Sequence, residues 1–242
     1  ILRDPEIPEP ADLVVLESTY GDRFHEDRTR RIRRLGNVLV RALEDRGKVF
    51  IPAFSLGRTQ ELIYELDRIF SDDGYREMFP EIQGEDRPPV FVDSPLGLEI
   101  TRIYSQLSTH WDREARDLER KGDHPIDFDG LFAVAHHRHH MELCDMPGPA
   151  VILAGSGMCT GGRIVDHLLG GIADSRNDIL FVGYQAYGTP GRSIKKYAGR
   201  PGAYVDLDGQ RKSIEARVHI LTGYSAHADQ QGLVEWISSM PE

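Results

Sequence analysis

The feature that most constrains the fold is the alternation of short, β-branched apolar runs with longer segments in which apolar residues recur at helical spacing. Between the runs at 13–16 and 49–51, for example, apolar residues return every three or four positions from Ile32 to Leu43. Further runs expected to form strands lie at residues 90–92, 131–134, 151–154 and 179–182. Helices are expected over residues 62–70, over 98–118 and around His167. Such alternation is typical of an α/β fold, in which helices cover both faces of a mostly parallel sheet.

The pattern changes after residue 199 to one that predicts a small antiparallel piece. Apolar runs at 203–207 and 216–221 flank the turn signal Asp208-Gly209. This dipeptide favours the two-residue turn of a β-hairpin, so we expect these two runs to form an antiparallel piece beside the main sheet.

Charge and composition exclude several classes of protein. The sequence has 29 Lys and Arg against 39 Asp and Glu, and its net charge of −10 is not that of a polycation that coats nucleic acid. No apolar run approaches the roughly 18 residues of a membrane span, so no membrane partner is expected. The only cysteines, Cys144 and Cys159, offer neither a disulfide framework nor a zinc ribbon. We therefore expect a soluble protein of a reducing compartment, the cytoplasm.

A glycine-rich segment over residues 155–163 lies between a buried strand and a helix. Backbone amides at such a place can hold an anion, so we predict that Ser156, Gly157 and Arg163 contact a phosphate. The dinucleotide and Walker fingerprints are not met, because Thr160 stands where a third glycine is needed and the Walker lysine is absent. The alternative is a tight turn that uses glycine only for its backbone angles.

The helix that follows this segment carries His167. At about 100° per residue, Ile164 and Leu168 fall on one side of the helix, while His167 and Arg163 fall together on the other. We therefore expect His167 to lie outside the core, where it can act as an acid or base at a leaving oxygen. The alternative is a solvated surface histidine.

His227 lies in the segment 222–229, between a strand exit and the last helical pattern. Its small neighbours leave the imidazole accessible, as a metal ligand or a general base requires. Asp229 is expected to cap the following helix rather than to support His227. Zinc needs three or four protein ligands, so the partners of His227 in any metal site must come from elsewhere.

Two conspicuous clusters are expected to play no part in the chemistry. The four histidines at positions 136, 137, 139 and 140 lack a Cys or carboxylate at metal-site spacing, so we predict a polar helix start that binds metal adventitiously. The arginines between Arg28 and Arg34 predict a solvated face, with contact to an RNA backbone as the alternative.

Four segments spread along the chain form an ordered set of motifs. They are LESTYGDR at 16–23, IPAFSLGRTQE at 51–61, GMCTGGR at 157–163 followed by His167, and GYSAHAD at 223–229. Taken together they resemble the β-CASP family of metallo-β-lactamase-fold nucleases, above all its prokaryotic RNA-processing members related to the mRNA cleavage and polyadenylation endonuclease. The resemblance runs from Asp12 to Trp236 and implies a Rossmann-like, mostly parallel sheet flanked by helices.

By this resemblance Glu17 matches the acidic residue of the family's motif A, His167 the histidine of motif B and His227 the histidine of motif C. In the family the motif C histidine is a zinc ligand, the motif B histidine protonates the leaving oxygen, and the motif A carboxylate supports that histidine. A histidine at motif C is typical of the RNA-directed branch. The resemblance therefore implies single-stranded RNA as the partner.

The resemblance also implies a centre of two zinc ions, whose H-x-H-x-D-H ligand motif does not occur in this sequence. The sequence starts at Ile1 without an initiator Met, and its last helical pattern stops near Glu242, so we expect a piece of a longer protein. We divide it into a metallo-β-lactamase remnant at 1–21, a β-CASP domain at 22–200 and a second remnant at 201–242. One histidine cannot hold two metals, so the chain by itself is expected to be inactive.

The sequence thus predicts part of a zinc-dependent ribonuclease that hydrolyses RNA phosphodiester bonds in RNA processing or decay. Two alternatives stay open. One is a catalytically inactive subunit that binds RNA or a nuclease, and the other is a nucleotide-binding α/β domain, against which the unmet fingerprints count. The sequence does not determine whether cleavage is endonucleolytic or exonucleolytic. It also does not determine whether the protein is a monomer or a homodimer.

Overall fold

A six-stranded parallel sheet forms the centre of the protein in the computed structural model, which describes residues 2–3, 6–7, 9–224 and 227–241. The strands are β1 (Lys48–Pro52), β2 (Val90–Asp93), β3 (Leu131–Ala133), β4 (Ala150–Ala154), β5 (Asp178–Phe181), β6 (Tyr204–Leu207), β7 (Gln210–Ser213) and β8 (Arg217–Ile220). The main sheet has the order β3-β2-β4-β1-β5-β8, and all its neighbouring pairs are parallel. The predicted fold class is confirmed.

Helices cover both faces of this sheet. They are α1 (Arg28–Asp45), α2 (Arg58–Ser71), α3 (Asp73–Met78), α4 (Pro95–Gln106), α5 (Arg113–Arg120), α6 (His137–Asp145), α7 (Arg163–Gly171), α8 (Pro190–Tyr197) and α9 (Gln230–Ser238). Alternate strand residues point to opposite faces, so Val151 and Leu153 of β4 pack with α1 and α2, whereas Ile152 packs with α7 and α8. Among the described residues, no helix is long and apolar enough to cross a membrane.

The predicted helix over residues 32–43 is α1, and local chemistry sets both of its ends. Asp27 begins the helix, because its side chain accepts a hydrogen bond from the amide of Arg30. Arg46 ends it in the left-handed region, at φ 54°. The apolar positions Ile32, Leu35 and Leu39 are fully buried. Helical spacing in the sequence therefore located this helix correctly.

Two predicted strands differ in the structure from what the sequence led us to expect. Residues 13–16 form no strand, and the side chains of Leu13 and Val15 are 82% and 90% exposed. No strand in the described part of the chain pairs with them, so β-propensity alone does not order them. β3 forms where expected but at the edge of the sheet, which leaves Phe132 about half exposed.

The single helix expected over residues 98–118 is two helices. α4 ends at Gln106, and Asp112 starts α5 by accepting a hydrogen bond from the amide of Ala115. Trp111, between them, is fully buried, and its indole N–H donates to the carbonyl of Tyr104. The burial of this large ring and the Asp112 cap together interrupt the helix.

The hairpin after residue 199 is only partly as predicted. Asp208 and Gly209 join β6 to β7 with φ values of 45° and 74°, as a two-residue hairpin turn requires. The run at 216–221 does not join this hairpin. Its central residues form β8, which pairs in parallel with β5 and so continues the main sheet.

The carboxyl ends of three central strands meet at one edge of the sheet. Pro52 of β1 and Asp93 of β2 both lie opposite Ala154 of β4. The segments that follow these strands therefore lie side by side, at the edge where open α/β sheets place their ligands.

Candidate functional site

Asp93, the last residue of β2, is the centre of a buried polar cluster. Its side chain is fully buried, and its Oδ2 accepts hydrogen bonds from His140 Nδ1 at 2.6 Å and His167 Nε2 at 2.7 Å. Its Oδ1 accepts one from the guanidinium of Arg163 at 2.7 Å. Burial alone would raise the pKa of Asp93, but these three donors outweigh it and hold the pKa below its usual range.

The prediction that His167 lies outside the core is wrong. His167 is only 2% exposed. Its ring stacks on the ring of Phe50 and meets the ring of His140 edge to face. The helical-face argument failed because α7 is covered on two sides, by the sheet and by α6. Burial also lowers the pKa of His167, although the bond to Asp93 opposes that effect. A buried neutral imidazole is poorly placed to protonate a bound substrate.

His140 and Cys144 complete this cluster, and the sequence interpretation missed them. α6 does begin among the four histidines, and His136, His137 and His139 are exposed, but His140 is fully buried. One turn later Cys144 places its Sγ 3.6 Å from His167 Nδ1. The expectation that no cysteine matches the histidines was therefore wrong, because the i, i+4 spacing puts Cys144 on the buried face that His140 occupies.

The residues predicted to hold a phosphate make contacts within the protein. The Arg163 guanidinium also donates to the carbonyls of Val134 and Ala135, at 2.6 and 3.0 Å. The amide of Ser156 donates to the carbonyl of Gly161, and its hydroxyl accepts from the amide of Thr160. These bonds close the loop on itself.

Two glycines of the same loop are required by close packing. A Cβ at Gly157 would lie 2.9 Å from the ring of Phe54. Gly162 has φ 76°, and a Cβ there would lie 2.6 Å from the carbonyl oxygen of Gly155. The geometry therefore favours the alternative of a tight strand-to-helix turn, and the phosphate contact of Ser156, Gly157 and Arg163 stays a prediction.

The second cluster is exposed and contains Glu17 and His227. Glu17 Oε2 lies 3.3 Å from His227 Nδ1, and the two side chains are 40% and 52% exposed. The amide of Thr19 donates to the same carboxylate at 2.9 Å and is the main cause that lowers the pKa of Glu17. The histidine partner of Glu17 is thus His227, whereas the carboxylate beside His167 is Asp93. The expectation that Glu17 supports His167 is not met.

Aromatic rings and a helix cap hold this exposed pair in place. The buried ring of Tyr20 packs against the rings of His25, His227 and Tyr184, with centroids 4.9 to 6.3 Å away. Asp229 caps α9 through the amide of Gly232 and accepts a second bond from the amide of His25, and both bonds lower its pKa. The predicted cap is therefore confirmed. Residues 225–226 of the predicted segment lie outside the described residues.

The arginines of α1 are only partly a solvated face. Arg31 lies 3.6 Å from carboxylates of both Glu61 and Glu65, and it also bonds the carbonyl of Gly223. Arg34 donates to the carbonyl of Ile220 at 2.6 Å. These two arginines therefore anchor α1 to neighbouring segments of the chain.

A zinc centre for hydrolysis does not fit the residues around His227 alone. In the described part of the chain, the side chains that could hold a metal as a group of three or more are His140, Cys144 and His167. Glu17 and His227 are not joined by a third such side chain among those residues. A complete catalytic zinc site needs at least three protein ligands, so the exposed pair does not make one.

Comparison with known proteins agrees with this architecture. Residues 59–194 match the model of the Beta-Casp domain, and residues 211–242 match that of the Zn-dependent metallo-hydrolase RNA specificity domain. The second match supports zinc dependence.

Similarity to individual proteins extends over nearly the whole chain. Ribonuclease TTHA0252 of Thermus thermophilus is 38% identical over 241 residues, which are all of this chain and 52% of that protein. Transcription termination factor FttA of Methanocaldococcus jannaschii is 33% identical over 93% of this chain, which is 34% of the length of that protein. FttA of Methanothermobacter thermautotrophicus is 31% identical over 96% of this chain, which is 36% of the length of that protein. The chain thus spans about half the length of the first and about a third of the others. Because the Beta-Casp match covers more than half of the chain and includes the strands and helices that hold Asp93, His140 and His167, the chain belongs to the β-CASP family.

Proposed function

We propose that this chain is part of a zinc-dependent ribonuclease and that its exposed Glu17–His227 pair takes part in phosphodiester hydrolysis. The observation that carries the proposal is the contact between these two side chains, which come from opposite ends of the chain and are both open to solvent. His227 also lies within the segment that matches a metallo-hydrolase RNA specificity domain.

The pair has the composition of a proton-transfer unit. A carboxylate next to one ring nitrogen orients the imidazole and stabilises its protonated form, as an acid that donates to a leaving oxygen requires. The resemblance assigned that role to His167, but the burial of His167 favours His227 instead. The carboxylate that contacts His227 is Glu17, which the resemblance had paired with His167.

Zinc would supply the attacking hydroxide and stabilise charge on the phosphate. The residues described around His227 do not form a complete site, so no step is derived through the metal. We propose that two zinc ions are bound, as the resemblance implies. Most of their ligands would come from parts of the protein that correspond to the half of the ribonuclease relative that this chain does not span. On this proposal residues 1–21 and 201–242 belong to the metallo-β-lactamase domain and residues 22–200 to the β-CASP domain.

Exposed aromatic rings support single-stranded RNA as the substrate. Tyr187 and Tyr184, after β5, are 97% and 45% exposed, and Phe54, after β1, is 45% exposed. Unpaired bases stack on such rings, whereas bases within a duplex are not accessible to them.

The two cysteines are free thiols, which supports the expected reducing compartment, the cytoplasm. Light scattering would determine whether the protein is a monomer or a homodimer in solution.

Cleavage of end-labelled single-stranded RNA by the full-length protein tests the proposal. His227→Ala should lower kcat by about 10²–10⁴-fold, because a positioned acid or base contributes that much, and Glu17→Gln should lower it less. His137→Ala, a change at an exposed histidine of α6, is the matched control and should leave cleavage unchanged. Full activity of His227→Ala would contradict the proposal. Binding of RNA without cleavage by the wild type would favour the inactive binding subunit instead.

A further inference from the structure

The buried cluster has the geometry of a metal site. Cys144 Sγ lies 3.6 Å from His167 Nδ1 and 3.9 Å from His140 Nε2, and the three donor atoms all lie within 4.8 Å of one another. A tetrahedral zinc ion with bonds of about 2.3 Å to sulfur and about 2.0–2.1 Å to nitrogen separates those two ligand atoms by about 3.6 Å. The spacing of the side chains is therefore close to that of a bound state.

Asp93 orients the imidazoles of both His140 and His167. Its carboxylate accepts a hydrogen bond from His140 Nδ1 and another from His167 Nε2. It also forms an ion pair with the guanidinium of Arg163. An ionised carboxylate can only accept, so each of these nitrogens carries its proton. The lone pair of His167 then belongs to Nδ1, 3.6 Å from Cys144 Sγ. His140 Nε2, 3.9 Å from the same sulfur, becomes a ligand once the proton between it and the Asp166 carboxylate has left. This carboxylate–histidine arrangement is the usual support of a protein zinc ligand.

Asp166 is outside this group of three but lies next to His140, from where its carboxylate could turn to become a fourth ligand. Its Oδ2 is hydrogen-bonded to His140 Nε2 at 3.1 Å. With that proton displaced by zinc, the two atoms would need to move only to the roughly 3.3 Å that separates oxygen and nitrogen ligands of tetrahedral zinc. Its side chain is 54% exposed and so has room to turn toward an ion. The two imidazoles, one thiolate and one carboxylate would leave Zn²⁺ with no net charge, which suits a buried position.

We propose that His140, Cys144, His167 and Asp166 bind a structural zinc ion that joins α6 to α7. The site shares no residue with the Glu17–His227 pair and does not depend on the proposed ribonuclease activity. A cavity of about 470 Å³, lined by Cys144 and His167 among others, gives the ion a way in. On binding, the Cys144 thiol and the hydrogen-bonded His140–Asp166 pair each release a proton to solvent, and the sulfur becomes a zinc ligand.

A catalytic Cys–His–Asp triad is the competing interpretation of the same residues. A nucleophilic cysteine needs a lowered pKa, whereas burial raises the pKa of the Cys144 thiol to about 11. The soft sulfur and the two oriented imidazoles are instead the donor types that zinc prefers.

Titration of the full-length protein with Co²⁺, after removal of metal with a chelator, tests the site without any measurement of activity. The wild type should bind one ion more than Cys144→Ser and should show a sulfur-to-cobalt charge-transfer band that this variant lacks. Two controls should keep the band: His227→Ala, and the triple substitution of the exposed His136, His137 and His139 by Ala. Circular dichroism establishes that each variant is folded.

Two further measurements keep the test decisive if Cys144→Ser is poorly folded. Cd²⁺ added to the wild type alone should produce a thiolate-to-cadmium absorption band. Asp93→Asn should weaken Co²⁺ binding by about 10–100-fold while the charge-transfer band remains, since Asp93 orients the ligands without touching the ion. The proposal is overturned if the wild type shows no thiolate band, or if Cys144→Ser binds as many ions as the wild type.

Discussion

His167 and His227 each have a carboxylate partner, yet the two regions of the molecule treat that pair of groups differently. Asp93 and His167 are buried, 2.7 Å apart, and held by His140 and Arg163 as well. Glu17 and His227 are 3.3 Å apart and about half exposed. Burial makes the first pair costly to break and closed to substrate, whereas exposure makes the second energetically minor and open to substrate. We therefore assign the first to stability and the second to chemistry.

The largest difference in stability is expected on removal of the two carboxylates. Asp93→Ala should lower the free energy of unfolding by about 3–5 kcal/mol, because two buried imidazoles lose their shared acceptor and the partly buried Arg163 loses its carboxylate partner. Glu17→Ala should lower it by at most about 1 kcal/mol, as is usual for an exposed pair. Urea unfolding of the two variants measures both values. Equal losses would remove the distinction between the two regions.

A smaller effect is expected from replacement of the histidines. His167→Ala should cost about 1–3 kcal/mol, since one of the donors to the buried Asp93 is lost. His227→Ala should be within about 0.5 kcal/mol of the wild type, like most surface changes. Thermal unfolding in the presence of a chelator makes this comparison free of bound metal. A destabilising His227→Ala would show that the exposed pair also supports the fold.

The dependence on pH should give the smallest effect. Burial depresses the pKa of His167 in the folded state, so on acidification the unfolded chain takes up this proton first. The stabilising contribution is therefore present above the ordinary histidine value of about 6.5 and is lost as the pH falls below it. Metal-free wild type should lose stability between pH 7 and pH 5, and His167→Ala should lose less. A steeper loss in the variant would contradict this origin of the pH dependence.

The sequence predicted the central elements well because their signals are local. Periodicity placed α1 and the strands β1, β2, β4 and β5, and Asp208-Gly209 placed the hairpin turn. It failed for residues 13–16, where β-branched residues have no described strand to pair with, and for β8, whose partner is chosen by the sheet rather than by the turn before it.

The candidate site was harder to predict because burial depends on what covers a helix. The face of α7 that carries His167 was correctly separated from Ile164 and Leu168, but nothing in that helix reveals that α6 lies over it. His140 was hidden among three exposed histidines. The useful signals were the i, i+4 spacing of His140 and Cys144 and the carboxylate of Asp93 at a strand end. The motifs around Glu17 and His227 were singled out, and the structure brings them together.

The most direct test of the division between the two regions is RNA cleavage by His167→Gln and His227→Gln, compared per folded molecule. Folded protein is counted by circular dichroism at a temperature below both transitions. We expect His227→Gln to lose about 10²–10⁴-fold in kcat and His167→Gln to lose far less, its defect appearing in the unfolding temperature instead. A folded but inactive His167→Gln beside an active His227→Gln would contradict the account.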